Sequence, residues 1–225
     1  VFWKLKAKRA THLKKSKIIL YENVFLEVFN IPFLYVPVFY HPDPTVKSKT
    51  GFLSPKISNS STFGTTYEQP IFFNIANNKN LTVNTKISTK EGLLLANKYK
   101  SITKKSALKL DTSITKGSKI RINKPTKKEM RGHINLRYKY QASEKWLFGA
   151  HVKKSSDKSY LVKYRLSEGE SVLNQNIFGE WGDIYKNIAI NTFKFQSLSD
   201  SYDTSKLPFI RPSIKFEFNN LNDSK

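Results

Sequence analysis

The chain has no cysteine, a single methionine and no long apolar run among its 225 residues. Without cysteine no disulfide can form within this sequence, and a structural zinc site built on thiolates is not expected. Since a membrane helix needs about 20 consecutive apolar residues, no such helix is predicted. The first residue is Val1 and no charged-then-apolar leader follows it, so we expect the numbering to begin inside a longer protein.

Acidic residues are also scarce in this sequence. The 17 Asp and Glu residues face 39 Lys and Arg residues, which gives a formal net charge of +22. Such an excess fits an anionic partner, whether nucleic acid, anionic lipid or another phosphate-rich molecule. Only 6 of these cations are Arg, the residue that binds phosphate through two hydrogen bonds. Lys, Asn and Ile share A/T-rich codons, and the basic residues are spread over the whole length, so charge alone does not identify a partner.

Signatures of catalysis are missing as well. No G-x-S-x-G nucleophile elbow, His-x-Ser pair or glycine-rich phosphate loop occurs in the sequence. Glu168 and Glu170 flank Gly169 in a predicted turn, where a solvated surface is a simpler explanation than an acid–base pair. The four histidines fall in unrelated contexts without metal-ligand spacing: His12, His41, His133 and His151. We therefore predict that the protein is not an enzyme and holds no cofactor or metal.

Most of the sequence alternates apolar and polar residues with the period of two that is typical of β-strands. In residues 81–88, for example, Leu81, Val83 and Ile87 share one face, and Asn84 and Lys86 share the other. The same alternation predicts strands at 133–141, 159–167, 187–196 and 213–219. No amphipathic helix and no fixed-period repeat is found, so we predict an all-β protein.

Two of these segments carry further detail. In 159–167 the predicted apolar face consists of Tyr160, Val162, Tyr164 and Leu166. In 187–196 the apolar positions begin at Ile188 and Ile190 and then shift to Phe193 and Phe195. Such a change of parity within one strand predicts a β-bulge.

The alternation has two interpretations. One is a soluble β-sandwich with a buried face and a wet face. The other is a transmembrane β-barrel, with apolar residues toward lipid and polar residues toward a watery lumen. Long strands and a strongly charged second face favour the barrel, as do tyrosines near predicted strand ends, where interfacial girdles lie. These tyrosines are Tyr99, Tyr138, Tyr140, Tyr160 and Tyr164.

The first forty residues differ from the rest. They predict short strands at 3–7, 17–21, 24–29 and 33–38, joined by tight polar turns. Val24, Leu26 and Val28 lie on one purely aliphatic face. Stacked rungs of this kind build the wall of a β-solenoid or jelly-roll, although an ordinary sandwich core has the same pattern.

Residues 31–55 combine an aromatic and β-branched strand pattern with five prolines. Each proline removes a donor from a sheet ladder, so this segment is predicted to be a junction: a sheet edge, a turn and then a new sheet. The His-Pro-Asp-Pro turn that begins at His41 predicts a boundary between domains at 1–40 and 41–225.

These segments resemble a known family. The motifs are "W-x-L-x-A" at 3–7, "I-x-x-Y-x-N-x-x-L-E" at 18–27, "IPFLYVPVFYHPDPTVKSKTGFLSP" at 31–55 and "G-x-x-Y-x-x-P-I-F-F-N-I-A-N-N-x-N-L-T" at 64–82. Together they resemble the LPS-assembly outer-membrane protein family (LptD, also called OstA), as do 156–164 and 207–218. Thr50 replaces the family's usual Ser, Asn77 its proline and Asn80 its Asp. The resemblance covers most of the chain and is densest in 31–82.

The resemblance implies a fold. It is all-β, with the C-terminal rungs of a periplasmic β-jelly-roll followed by antiparallel strands of a large transmembrane β-barrel. Residues 41–225 would supply about 10–12 strands of 9–11 residues with their turns, only part of the family's larger barrel. The implied location is the outer membrane of a Gram-negative cell, with the N-terminal part in the periplasm.

The resemblance also implies a function, transport and insertion of lipopolysaccharide (LPS) into the outer leaflet. Acyl chains would pass along an apolar groove and leave through a lateral seam at the first barrel strand. Groove-lining residues would be Val24, Leu26, Val28, Leu34, Val36 and Val38. Residues at the lateral gate would be Pro42, Pro44, Gly51, Phe52 and Pro55. The three prolines would bracket the first strand and weaken the seam, or would serve only as turn residues.

The resemblance also implies partners, and two other functions remain as alternatives. By resemblance the partners are LPS, the lipoprotein plug LptE, the periplasmic bridge protein LptA and the outer membrane, with lumen Lys and Arg near lipid phosphates. A porin-like passive channel is one alternative. A basic nucleic-acid-binding β-protein is another, but it would need clustered cations beside exposed aromatics, whereas here the aromatics lie mostly on the apolar face; we therefore expect no nucleic acid partner.

Overall fold

A computed structural model describes residues 3–46, 48–119, 128–166, 169–183, 185–199 and 204–218. The fold is all-β and antiparallel, which confirms the predicted class. No helix among these residues has the length and apolar character needed to cross a membrane. The chain divides into two compact units, Val1–Lys49 and Thr50–Lys225.

The first unit contains a three-stranded sheet in the order β1-β2-β3. Its strands are β1 (Trp3–Leu13), β2 (Ile18–Val28) and β3 (Ile31–Pro42). The four short strands predicted here are therefore three long ones. Asn23 has a positive φ of 52° but does not end β2. A two-residue turn at Phe29 and Asn30, both with positive φ as a type I′ hairpin requires, joins β2 to β3.

The proline-rich β3 pairs only with β2 in the described part of the chain. An edge position tolerates proline, because the side without a partner needs no ladder donor. The predicted boundary at 40/41 falls inside β3, two residues before its end at Pro42. The separation of the two units lies further along, between Lys49 and Thr50.

The second unit is an eleven-stranded meander in which each long strand pairs with its sequence neighbours. Its strands are β4 (Gly51–Phe52), β5 (Lys56–Ser60), β6 (Gly64–Ala76), β7 (Lys79–Ser88), β8 (Gly92–Ile102), β9 (Ser106–Ser118), β10 (Lys128–Gln141), β11 (Trp146–Ser155), β12 (Val172–Gly182), β13 (Lys186–Ser197) and β14 (Ile210–Phe218). A four-residue helix, α1 (Tyr160–Lys163), and a 3₁₀ turn at Thr204–Lys206 interrupt the meander. β4 and β5 both pair with β6.

The two ends of this sheet differ in their connections. At one end, the tight-turn end, the links 77–78, 103–105, 142–145 and 183–185 are two to four residues long. At the other, the long-loop end, the links include 156–171 and 198–209. The chain enters the sheet at the tight-turn end, because Gly51 pairs with Phe72 close to the 77–78 turn.

Three of the predicted strands of this unit lie within observed ones: 81–88 in β7, 133–141 in β10 and 187–196 in β13. The segment 213–219 corresponds to β14 except for Asn219, which lies outside the described residues. The register between β13 and β14 shifts between Asn191 and Phe193, where the parity of the apolar residues changes. This confirms the predicted irregularity.

The predicted strand at 159–167 is wrong. Residues Tyr160–Lys163 form α1 instead, and Ser167 lies outside the described residues. Asp157 accepts a hydrogen bond from the backbone N–H of Ser159, an Asx turn that leads into the helix. Tyr160, Leu161 and Tyr164 are buried on one side, whereas Val162 is 65% exposed on the other. A helical turn gives this pattern and a strand does not.

Candidate functional site

Four of the predicted groove residues, Val24, Leu26, Leu34 and Val36, lie on one face of the first unit. Val24 is the cross-strand partner of both Ala7 and Val36, and Leu26 is the partner of Leu5 and Leu34. Directly opposed residues share a face, so these side chains form one aliphatic strip. Val24 is 2% exposed, but Leu34 is 50% exposed, so the strip has a buried centre and an open margin.

The remaining two groove residues mark the ends of the aliphatic strip. Val38 is 56% exposed and pairs with Glu22, which forms a 3.3 Å ion pair with Arg9. This ion pair therefore borders the strip at Val38. Val28 pairs with Ile31 at the other end, and the position of its side chain lies outside the described part of the chain.

The opposite face of this sheet is aromatic, and no role was predicted for it from the sequence. The Phe25 and Tyr35 rings lie 5.0 Å apart, and those of Tyr21 and Phe39 lie 6.1 Å apart. The Tyr35 hydroxyl donates a 2.6 Å hydrogen bond to Asn23. The alternation contained this signal, because most of the odd-numbered residues from Tyr21 to Phe39 are aromatic or polar.

Two of the predicted gate prolines belong to the first unit. Pro42 is the last residue of β3 and pairs with Ile18. Pro44 follows in a turn where the Asp43 carboxylate accepts hydrogen bonds from the Thr45 backbone N–H and hydroxyl. Pro42 and Pro44 therefore precede β4, the first strand of the large sheet, and belong to the first unit.

The other gate residues lie at the edge of the large sheet. Gly51 and Phe52 form β4, and Phe52 is 76% exposed. The Leu53 backbone N–H still donates to Pro70 at 2.9 Å. Pro55 then separates β4 from β5, and the pairing with β6 shifts by one residue across this break. Pro55 thus lies in the break between β4 and β5, the two short strands that pair with β6.

One face of the large sheet, the apolar face, exposes large hydrophobic side chains on many of its strands. Each of the following is at least 36% exposed: Ile87, Leu93, Ile114, Ile134, Ile177, Ile190, Ile214 and Phe216. Cross-strand pairs such as Ile87 with Leu93 and Ile190 with Ile214 make the surface continuous. Water-soluble monomers rarely expose apolar patches of this extent, so the apolar face is suited to a lipid or protein environment.

Aromatic residues of the apolar face gather at the tight-turn end. Tyr140 pairs with Phe148, Trp146 pairs with Trp181, and the Trp146 and Phe148 rings stack at 5.4 Å. Of the predicted girdle, Tyr99, Tyr138 and Tyr140 are on strands. Tyr160 and Tyr164 are not, because α1 buries them.

The second face of the large sheet, the polar face, carries most of its charges. Rows of cross-strand partners run across it, such as Lys98, Asp111, Asn135 and Lys153. A cavity of about 300 Å³ opens on this face between β7 and β10. Lys100, Lys109 and Arg137 contribute to its lining.

At the long-loop end, residues 156–166 fold back over the polar face; we call this segment the cap. Arg131 of β10 holds it through a two-pronged ion pair with Asp157, with nitrogen–oxygen distances of 2.8 and 2.9 Å. The two side chains are 1% and 7% exposed. The Arg131 guanidinium also lies 5.2 Å from the centre of the Tyr160 ring.

A second buried ion pair fixes the other end of α1. Lys163 lies 3.0 Å from Glu91, in the turn between β7 and β8, and also donates to the Ser118 carbonyl at 2.8 Å. Glu91 accepts hydrogen bonds from the Ser118 backbone N–H and from the Tyr164 hydroxyl. Gly117 leaves the room that Tyr164 needs, since a Cβ there would lie 2.0 Å from its hydroxyl.

Apolar packing completes the cap. Tyr160, Leu161 and Tyr164 contact one another and a buried cluster that also contains Phe63, Leu94 and Leu173. The Tyr160 hydroxyl is 2.7 Å from Ser113 Oγ, which in turn is 2.6 Å from His133 Nδ1. The cap is therefore a small folded core, and not a loose loop on the sheet.

The surroundings of the cap shift the pKa values of its acids. Burial alone would raise the pKa of Asp157, but hydrogen bonds from Arg131 and Ser159 outweigh it and lower the value to about 2. Burial is likewise outweighed at Glu91, whose pKa is lowered by hydrogen bonds from Ser118 and the contact with Lys163. Burial, together with the nearby Glu91 charge, raises the pKa of Tyr164 to about 12.

Metal-binding residue types are present among the described residues. No three His, Cys, Asp or Glu side chains gather there as a metal site would need. The four histidines lie on separate strands, namely β1, β3, β10 and β11. Glu170 forms an ion pair with Lys153, and Glu168 lies outside the described residues.

The sequence also has curated relatives. No family model matches the chain. It is 27% identical to the LPS-assembly protein LptD of Pseudomonas putida over 92% of its length, and 26% identical to that of Pseudoalteromonas atlantica over 87%. For the protein of the same name in Acinetobacter baylyi the identity is 23% over 97% of the chain. The chain spans about a quarter of the length of these relatives, and the matches extend over both units.

Proposed function

Because this chain belongs to the LPS-assembly protein LptD family, we propose that it helps to move lipopolysaccharide into the outer leaflet of the outer membrane. The observation that carries the proposal is the aliphatic strip of the first unit with its exposed margin at Leu34. A sheet with an exposed apolar face follows it along the chain. A lipid carrier needs an apolar surface for acyl chains, and a membrane protein needs one for the bilayer.

The first unit is proposed to be the end of a periplasmic β-jelly-roll. Acyl chains would lie along the strip from Leu26 and Leu34 to Val24 and Val36, and burial of each methylene would contribute about 0.8 kcal/mol. The exposed margin at Leu34 supports this role, because a closed core would have no free apolar surface to offer.

The second unit is proposed to supply the first strands of an outer-membrane β-barrel. Its apolar face would meet lipid and its polar face would line a watery lumen, as in other barrels of this kind. The different link lengths at the two ends of the sheet indicate how it would be oriented in the membrane, since outer-membrane barrels have short periplasmic turns and longer extracellular loops. The tight-turn end, where the chain enters, would therefore face the periplasm, and its Trp and Tyr residues would lie at the interface.

The lateral gate is proposed at the interrupted first strand, β4 with β5. Gly51 and Phe52 supply a pairing of only two residues, and Pro55 cannot donate a hydrogen bond. An edge with so few ladder bonds would separate from a neighbouring strand more easily than a continuous one. Pro42 and Pro44 are assigned to the connection that precedes the gate.

Partners follow from the same family. LptE as a lipoprotein plug and LptA as a periplasmic bridge are the proposed protein partners, and LPS is the proposed cargo. The proposal includes no catalytic step and no cofactor.

Photo-crosslinking in cells tests the lipid path. A crosslinking residue at Leu26 or Leu34, on the aliphatic strip, should capture LPS, whereas one at Phe25 or Tyr35, on the opposite face, should capture little. All four positions lie in the same two strands, so expression and folding are matched. Equal capture on both faces, or none on the strip, would contradict the proposed path.

A further inference from the structure

Three cations stand in one row on the polar face near the tight-turn end; we call them the basic row. Lys100 of β8 is the direct cross-strand partner of Lys109 of β9, and Lys109 is the partner of Arg137 of β10. Directly opposed side chains in a sheet lie about 4.5–5.5 Å apart at their Cβ atoms, and like charges there destabilise the sheet. The repulsion within the row thus lowers the stability of the sheet, and the fold does not need three cations at these positions.

No carboxylate offsets this repulsion. Within the described ranges, Lys100, Lys109 and Arg137 take part in no ion pair and no side-chain hydrogen bond, and all three side chains are exposed. The acid nearest in the ladder is Asp111, in the adjacent row, which lies 3.9 Å from Lys98 and 3.7 Å from His133. One carboxylate already shared in this way cannot neutralise three more cations.

The basic row has room for a ligand. It lines the cavity of about 300 Å³, together with Asn80, Thr82 and Asn135. The cavity therefore combines positive charge with amide and hydroxyl groups that can hydrogen-bond to a sugar. Arg137 can bind a phosphate through two parallel hydrogen bonds, and the lysines add compact charges beside it.

We infer that the basic row is a binding site for a phosphorylated saccharide, the polar part of the transported lipopolysaccharide. The inference rests on the proposed function, because that function places the polar face in the aqueous lumen. Free phosphate ions share the recognised chemistry, and so the experiment must separate them from a phosphorylated sugar.

A binding measurement with the complete protein in detergent tests the inference. The probe is deacylated LPS, which retains the phosphorylated saccharide but cannot occupy the aliphatic strip. The variant Lys100→Gln/Lys109→Gln/Arg137→Gln should bind it about tenfold or more weakly, since three charged contacts are lost. Its control, Lys14→Gln/Lys104→Gln/Lys105→Gln, removes the same charge from exposed turns and should bind normally.

Two further probes identify the ligand. Dephosphorylated saccharide should bind weakly to both variants and to the unaltered protein, and added salt should weaken binding of the phosphorylated form. Equal binding of deacylated LPS by the two triple variants would overturn the site. Inorganic phosphate that binds as tightly as the phosphorylated saccharide would overturn the assignment to a sugar.

Crosslinking in cells separates this inference from the proposed function. A crosslinker at Asn135, in the cavity, should capture LPS, and one at Ile134, on the apolar face of the same strand, serves as the control. Capture at Leu26 without capture at Asn135 would overturn the basic row and leave the proposed function standing. Absence of capture at both Leu26 and Asn135 would overturn the proposed function, and deacylated LPS would still test the row by itself.

Discussion

The cations at the two ends of the polar face differ in burial and in pairing. At the long-loop end, Arg131 and Lys163 are buried, and each is paired with a carboxylate and hydrogen-bonded further. At the tight-turn end, Lys109 and Arg137 are exposed and unpaired among the described residues. Arg131 and Arg137 even share strand β10. Charges of the first kind hold the fold together, and charges of the second kind weaken it slightly and stay available to a ligand.

The largest effect is expected when one arginine at each end is replaced by methionine, in two separate variants. Arg131→Met leaves Asp157 buried without its partner, and should lower the free energy of unfolding by about 3–5 kcal/mol. Arg137→Met removes an exposed charge from the same strand and should change it by less than about 0.5 kcal/mol. Urea unfolding of the complete protein in detergent, followed by tryptophan fluorescence, measures both. Similar values for the two variants would show that the cap is not held by its ion pair.

Acid should weaken the capped end selectively. The pKa of Asp157 is about 2 in the folded protein against an ordinary value of 3.8, so its ionised form favours folding. That contribution is fully present above about pH 4 and is lost as pH falls toward 2. We expect a loss of about 2 kcal/mol in this window, from 1.36 kcal/mol per unit of pKa difference.

The control for acid weakening is Asp157→Asn, which should be less stable at neutral pH and should lose less stability between pH 4 and 2. The slope that remains belongs to other carboxylates, Glu91 included, because its pKa is also lowered. An unchanged slope in Asp157→Asn would assign the acid sensitivity to those groups.

Alkali should weaken the same end through a different residue. The pKa of Tyr164 is raised to about 12, so folding favours the neutral phenol. Its contribution is present below the ordinary value of 10 and is lost as pH rises from 10 to 12. Tyr164→Phe should flatten this loss and cost about 1 kcal/mol at neutral pH, the usual value of one hydrogen bond.

Sequence alternation predicted most of the strands. It placed Val24 and Leu26 on one face, because the period of two fixes faces without any knowledge of partners. It failed at the cap for a physical reason. Tyr160 and Tyr164, four residues apart, share a side in a strand and also in a helix. The burial of Leu161 and the exposure of Val162 distinguish the two, and the sequence shows neither.

The break at Pro55 and the basic row also depend on strand pairing, which the sequence does not show. Prolines indicate that a ladder is broken but not which strand follows the break, and only the pairings show that β5 continues along β6 after Pro55. The basic row was not visible because it needs registers: Lys100, Lys109 and Arg137 are far apart in sequence, and only the pairing of β8, β9 and β10 aligns them.

The smallest predicted effect is the change in the free energy of unfolding when one charge of the basic row is removed. Lys109→Gln removes the middle charge of the row and should raise the free energy of unfolding by about 0.2–1 kcal/mol, since two like-charge pairs disappear. Lys163→Gln makes the same chemical change in the cap and should lower it, because Glu91 loses its cation. Added salt should reduce the gain at Lys109, as exposed charges are screened. If Lys109→Gln were also destabilising, the row would be structural and its cations would not be free for a ligand.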